Sequence, residues 1–504
     1  MSLTPALRDA RDEIETVARG FGLDFFETVF EMVDYDRINE IAAYGGFPTR
    51  YPHWRFGMEY EELSRSSEYG LSKIYEMVIN TDPAYAYLLE GNSMVEQRTV
   101  IAHVFGHVDF FKNNYYFSVT DRKMVDRMAN HATRVRELID DVGLERVERF
   151  IDTCLSLDNL VDVHAAYMAR APLRVQQVEV PSLDRAIQVA RLPARDYMEE
   201  FVNPPEFLEQ KRRERVKQAE DRRRRFPEEP QRDVLGFLLH HAPLDGWEVE
   251  ILQIIRDEAL YFAPQGMTKI MNEGWASYWH SRILTERVLR ADEFVDYADS
   301  YSRVMATSPR RLNPYKLGIE LWRDIEERWN RGMFGPEWED CDRIEQREAW
   351  DHKVGAGREK IFAVRRIYND VTFLDEFLTP DFIERQRLFA FGYNPRNKQW
   401  EISSREFADV KQKLLDQITN AGQPVIDVVD ANFRNRSELL LRHQFRGTPI
   451  RVDYANEVLA NLHRVWRRPC HLHTDVDGKG RLLGFDGQNC TQEAFELPSS
   501  DEPR

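Results

Sequence analysis

The sequence predicts a mainly α N-terminal region followed by a small α+β C-terminal domain. Two observations predict it. Apolar residues recur mostly at helical spacing from Thr4 to about Phe377, and after about Pro380 short strand-like runs alternate with turn signals. At 504 residues the chain also exceeds the size at which a single core usually stops growing, so more than one domain is expected. The expected division is a helical core over 1–380, an α+β domain over 381–488 and a disordered tail over 489–504.

Within the helical part, Leu71, Ile74, Met77 and Val78 are spaced as on one helix face, as are Val135, Leu138, Ile139 and Val142. Gly45 to Gly57, with two prolines, three glycines and four aromatics, reads as a packed loop whose aromatics lie over the core. The basic run from Lys211 to Arg225 reads as an exposed helix broken by Pro227 and Pro230. A solvated face explains it, with an anionic partner as the alternative. In the C-terminal part, Leu388–Tyr393 and Lys398–Ser403 read as a hairpin about Asn394-Pro395-Arg396-Asn397, and Ser404 to Thr419 as a helix. Pro424–Val429 and Ile450–Tyr454 read as strands, Ala455–Trp466 as a helix, and Arg481–Phe485 as the second strand of a last hairpin.

Composition narrows the function classes. Hydrophobic residues at 42% and aromatics at 12% suit a globular chain, and a net charge of -17 repels phosphate backbones, so no nucleic-acid partner is expected. Cys154, Cys341, Cys470 and Cys490 are scattered without CxxC spacing, which signals neither a thiolate zinc site nor a disulfide framework. The first residues carry charges where a signal peptide needs an apolar core, and no stretch reaches the roughly 18 apolar residues of a membrane span. The cytoplasm is the expected location.

The chemistry concentrates in two segments. In IAHVFGHVDFFKNN, His103 and His107 stand four apart on a pattern without a breaker from Met94 to Phe105, which puts both imidazoles on one face about 5 to 6 Å apart. This is the spacing of zinc peptidase helices, where a glutamate follows the first histidine and activates the metal-bound water. Here that position is Val104. Losing a general base typically costs a factor of about 100 to 10,000, whereas the ligand pair is untouched. The alternative is two buried histidines bonded to backbone or carboxylate. Asp109, about 200° around from His107, faces away.

The second segment is MNEGWASYWH. It sets Glu273, Ser277 and His280 on one helix face, with Gly274 and Ala276 leaving the surface thin enough for a close neighbour. Glu273 fits the third ligand of a two-histidine, one-glutamate site for a divalent ion, zinc first, with iron or manganese as alternatives. Its alternative is a buried carboxylate paired to Arg282 or Lys269. His280 could be a fourth ligand, a partner behind a ligand or a proton shuttle. Upstream, Glu258 on a helix ending before Pro264 is the candidate substitute base, with a fourth ligand or a salt bridge as alternatives. Catalytic candidates are therefore Glu258 and His280, and metal candidates His103, His107 and Glu273. The predicted fold gains a zincin-like, metallopeptidase-like helix pair. Asn113, Asn114, His131, Asn159 and His164 read as caps or core contacts, and Lys112 as a helix C-terminal charge or an anion contact.

These strings, with RLNPYKLGIELWRDIEERWNRGMFG, RYPHWRFGMEYEEL, INTDPAYAYLLEGNSMVEQ, GQPVIDVVDANFRNRSELLL and LHRVWRRPCHLHT, together resemble the SpoVR family, the stage V sporulation protein R group, along nearly the whole chain. The resemblance implies a link to the spore cortex or, in bacteria that do not sporulate, to a stress-related set with a PrkA-type serine kinase and a YeaH-like protein. It brings no catalytic residues with it. Two functions follow as expectations: a metal-dependent hydrolase acting on a peptide or cell-wall fragment, and a non-catalytic regulator that docks a kinase or another protein.

Overall fold

A computed structural model describes residues 3–68, 76–168, 193, 198–223, 225–306, 312–394, 396, 398–476 and 478–495. By internal contacts the chain forms two compact units, Met1–Glu148 with Tyr261–Gly422, and Arg149–Leu260 with Gln423–Arg504.

The first unit is mostly helical. It also holds a three-stranded sheet of β1 (Thr28–Val33), β2 (Glu76–Ile79) and β3 (Ala84–Leu89) in the order β1-β3-β2, with β1 parallel and β2 antiparallel to β3. Met77 and Val78, expected on a helix, therefore lie on a strand; Leu71 and Ile74 fall outside the described residues. The apolar spacing was real, but a four-residue strand beside β3 uses it as well as a helix face would. Val135 and Leu138 are buried on the helix Met124–Val142, as their spacing predicted.

From β3 the chain turns into the histidine helix, Met94–Asn113. Ser93 and Glu96 close a capping box at its start, satisfying two backbone N–H groups that the helix cannot. Its positions from Val100 through Phe111 are all buried, which is why the segment is apolar all round instead of striped. The glutamate helix, Lys269–Ile283, packs between it and a third helix, Pro314–Arg331. Small residues permit both close approaches: a Cβ on Gly106 would stand 2.7 Å from the Ala276 Cα, and one on Gly274 would stand 2.4 Å from the Gly318 carbonyl carbon. Trp275, Trp279 and Trp322 fill the core beside these crossings. The start of the glutamate helix lacks a side-chain cap of its own; Asp370 accepts there from the N–H groups of Ile270 and Met271 at 2.8 and 2.9 Å.

The segment from Gly45 runs as irregular chain to His53, after which Trp54 starts a helix to Glu68. Phe47 packs against Tyr261 and Phe262, so its ring covers the core as expected. The unit also contains the hairpin of β4 (Ala390–Asn394) and β5 (Gln399–Ser404), and the helix Phe407–Ile418 that follows it. Residues 395 and 397 of the expected turn lie outside the described residues.

The second unit carries a five-stranded sheet in the order β10-β9-β8-β7-β6: β6 (Ile426–Phe433), β7 (Glu438–His443), β8 (Cys470–Val476), β9 (Lys479–Phe485) and β10 (Cys490–Ala494). β7 and β8 are parallel, joined by the crossover helix Val452–Trp466, which packs on β8 and β9 through residues such as Leu459 and Leu462. Three expectations are corrected in this part of the chain. Ile450–Tyr454 is not a strand, because Val452 already starts that helix. Cys490–Ala494, expected in a disordered tail, pairs antiparallel with β9; residues 496–504 lie outside the described residues. The helix carrying Glu258 runs on through Pro264 to Met267 instead of ending before the proline. The basic run is largely helical, on Pro205–Arg223. Among the described residues no helix is long and apolar enough to cross a membrane.

Candidate metal centre

His103 and His107 project from one face of the histidine helix with ring centroids 4.5 Å apart and planes at 87°. The two imidazoles meet Glu273 from the facing helix. Their Nε2 atoms lie 3.7 and 3.5 Å from Glu273 Oε2. Hydrogen bonds of this kind normally span about 2.7–3.2 Å, and Oε2 is a buried oxygen without a hydrogen-bond partner. The spacing instead approaches the roughly 3.3 Å edge of a tetrahedron whose metal bonds are about 2.0–2.1 Å long. Among the described residues these three form the single group whose ligand atoms could share a metal ion, all within 4.8 Å of one another. The donor set of two imidazole nitrogens and a carboxylate oxygen suits zinc, iron or manganese.

Burial alone would raise the Glu273 carboxyl, but the two histidines, when no metal is bound and they present N–H and positive charge to it, hold the group well below the usual carboxylate range. The cluster is nearly closed: the histidine side chains are 6 and 7% exposed and the Glu273 side chain is 18% exposed, with its Oε2 buried. Glu273 does not pair with Arg282, which holds Glu286 and Glu326 instead.

Each imidazole has a partner at its other nitrogen. His107 Nδ1 lies 2.9 Å from Asn272 Oδ1, and His103 Nδ1 lies 2.8 Å from His280 Nδ1. His280 thus stands behind His103 and outside the three-residue group. Burial, then the two neighbouring histidines, hold its pKa well below the usual value, so it is a neutral ring. Its Nε2 and the hydroxyl of Ser277 are buried without hydrogen-bond partners. Asn272 was not singled out from sequence. Its contact lies 165 residues away in sequence and depends on how the two helices cross, and no spacing rule reports that.

Glu258 is buried on the helix Gly246–Met267 and belongs to the second unit. Lys112 pairs with Asp24 at 2.6 Å, and Asn113 and Asn114 bond to backbone carbonyls, so these act as local ties. Asp109 faces away from the pair, as its angle predicted, into a buried contact with Arg365 and Trp275. Val104, where a peptidase helix carries its glutamate, is fully buried in the main core. A Val104→Glu variant is expected to lose about 3–5 kcal/mol of stability, because the new carboxylate is buried without a partner, and to gain no peptidase activity. Chemical denaturation and a peptide-hydrolysis assay check both parts; an active, stable variant overturns the reading.

Fold and cluster together define a helical protein with a buried two-histidine, one-glutamate centre and an attached small sheet. The chain belongs to the SpoVR family: the model described as "SpoVR like protein" matches residues 2–423, and "SpoVR-like C-terminal domain" matches residues 424–477. It is 31% identical to a protein of Escherichia coli (strain K12) named "Uncharacterized protein YcgB" over 499 residues, covering 94% of this chain and 92% of that one. No solved structure matches the chain.

Proposed function

We propose that His103, His107 and Glu273 hold one divalent metal ion, zinc first and iron or manganese as alternatives, in a cytoplasmic metal-dependent hydrolase. The observation that carries the metal is the meeting of both Nε2 atoms with Glu273 Oε2 at 3.7 and 3.5 Å, all ligand atoms within 4.8 Å of one another, while the distal nitrogens of both histidines are occupied. The proposed substrate is a peptide or a cell-wall-related compound, in sporulation or stress physiology. The two histidines and Glu273 orient the ion, which when bound supplies Lewis acidity. Because Val104 cannot serve as a base, proton transfer falls to another group, for which we retain Glu258; His280 is better placed to act on His103 than on substrate. The zincin likeness of the helix pair is part of this proposal.

Two measurements test it. Protein purified without a histidine tag is expected to carry about one equivalent of metal, and His103→Ala and Glu273→Ala variants to carry almost none. Several preparations free of metal would sink the idea. Glu258→Gln is expected to keep the metal and lower turnover of a hydrolysed substrate by about 100-fold or more; unchanged turnover removes Glu258.

One observation favours a second reading, in which the ion is structural and the protein is a regulator working with a PrkA-type serine kinase and a YeaH-like partner. The ligands are almost shut off from water, as structural metal sites are. Under that reading, removing the ion lowers the melting temperature and partner binding while no substrate turnover is found.

A further inference from the structure

The metal ligands have partners that bear on which proton each imidazole carries. A histidine can bind a metal through Nε2 only if that atom holds a lone pair, so the neutral ring must keep its proton on Nδ1. Asn272 Oδ1 can only accept, and it lies 2.9 Å from His107 Nδ1. In the neutral, metal-binding form of the ring the proton is therefore on Nδ1, and the His107 Nε2 lone pair points toward Glu273, 3.5 Å away. The His103 and His280 Nδ1 atoms, 2.8 Å apart, share one proton between them. When it resides on His103, the Nε2 of that ring is likewise free to bind, and His280 accepts through Nδ1 and carries its own proton on Nε2.

We propose that Asn272 is a positioning residue that fixes the Nδ1–H tautomer of His107, and that His280 accepts the proton of His103 Nδ1 when a metal takes the Nε2 lone pair of that ring, so that both Nε2 atoms face the metal position beside Glu273. This rests on the metal reading above and deepens it. One helix, Lys269–Ile283, then delivers a ligand and both positioning groups, while the histidine helix delivers the two rings they orient. Asn272, a carboxamide, carries no charge. A carboxylate in its place would make the ring a stronger donor, and a neutral acceptor leaves more positive charge on the ion. The contact is also directional: an apolar side chain of equal size fills the space but leaves the tautomer unset.

Full-length protein stripped of metal and titrated with cobalt(II), followed by visible absorption, tests this. Asn272→Leu and His280→Leu are expected to weaken cobalt binding by about 10- to 100-fold. Asn272→Asp keeps an acceptor oxygen, so it is expected to bind cobalt at least as tightly as the natural protein, with shifted visible bands, although a further buried carboxylate lowers the melting temperature of the metal-free form. A role in packing alone predicts the opposite ranking, with leucine tolerated and aspartate harmful. Asn272→Ala, which removes the acceptor without adding bulk, carries the same expectation as leucine if the leucine variant does not fold. Leucine and alanine variants that bind cobalt like the natural protein overturn the proposal, as does an affinity order that follows the melting temperatures. If the natural protein takes up no cobalt, the metal reading itself has failed. That outcome is distinct from cobalt binding that is indifferent to Asn272 and His280.

Discussion

Gly274→Ala is expected to destabilise the protein by about 3 kcal/mol and to reduce its metal affinity at least tenfold, although alanine elsewhere on a helix is an improvement. The ordinary gain is about 0.5–1 kcal/mol, from the lower entropy of the unfolded chain. Against it stands a steric conflict that no rotamer relieves. The added Cβ would lie 2.4 Å from the Gly318 carbonyl carbon and 2.5 Å from its Cα. Carbon atoms rest about 3.5–4.0 Å apart, so the two helices must separate by more than 1 Å. The reciprocal change is worse placed, since a Cβ on Gly318 would meet the Ile270 carbonyl oxygen at 2.2 Å. Glu273 adjoins Gly274, and any shift there moves the carboxylate relative to His103 and His107. Gly57, on the helix Trp54–Glu68 with nothing within 4 Å of its virtual Cβ, is the control, and Gly57→Ala is expected to be neutral or slightly stabilising. Denaturant midpoints for both variants decide it; equal midpoints mean that the crossing is not tight.

The same two segments show how far the sequence could be read. His103, His107 and Glu273 were legible because each ligand face is a matter of residues three, four or seven apart within one helix, and those intervals are fixed by helix geometry. The thin surface at Gly274 and Ala276 pointed to a close neighbour for the same reason. Asn272 and Asp370 were not legible. Their roles depend on which helix crosses which, and at what height, and that is set by contacts 100 residues or more away in sequence. Strand errors have a related origin. β2 has four residues, and Ile450–Tyr454 mimics a strand for five, too few for period two and period 3.6 to separate. Cys490–Ala494 has no exposed-to-buried alternation at all, being exposed throughout; only its pairing with β9 defines it.

Asp109→Ala is expected to be among the costliest changes outside the candidate metal ligands, at about 3–5 kcal/mol. The carboxylate is fully buried. Oδ2 accepts from Arg365 Nη1 at 2.5 Å and from the Trp275 indole at 2.8 Å, and Oδ1 accepts from the backbone N–H of Asp24 at 2.8 Å. Burial pushes its pKa up, and these donors, Arg365 foremost, pull it back. Removing it leaves Arg365, 2% exposed, as a buried cation without a counter-charge, together with two N–H groups that lose their acceptor. The large cost comes from those orphaned partners more than from any gain the pair provides, because an ion pair taken out of water repays little of its desolvation. A cycle separates the two contributions. Asp109→Leu with Arg365→Met removes both charges and is expected to recover at least about 2 kcal/mol relative to the sum of the single changes. Purely additive losses overturn the account. Metal affinity provides an independent readout, since Asp109 follows His107 by two residues and Trp275 follows Glu273 by two. The indole-to-carboxylate bond therefore ties together the chain segments that carry the ligands. Asp109→Ala should weaken metal binding without touching a ligand, and the double variant, with packing restored but that bond still absent, should recover stability more fully than affinity.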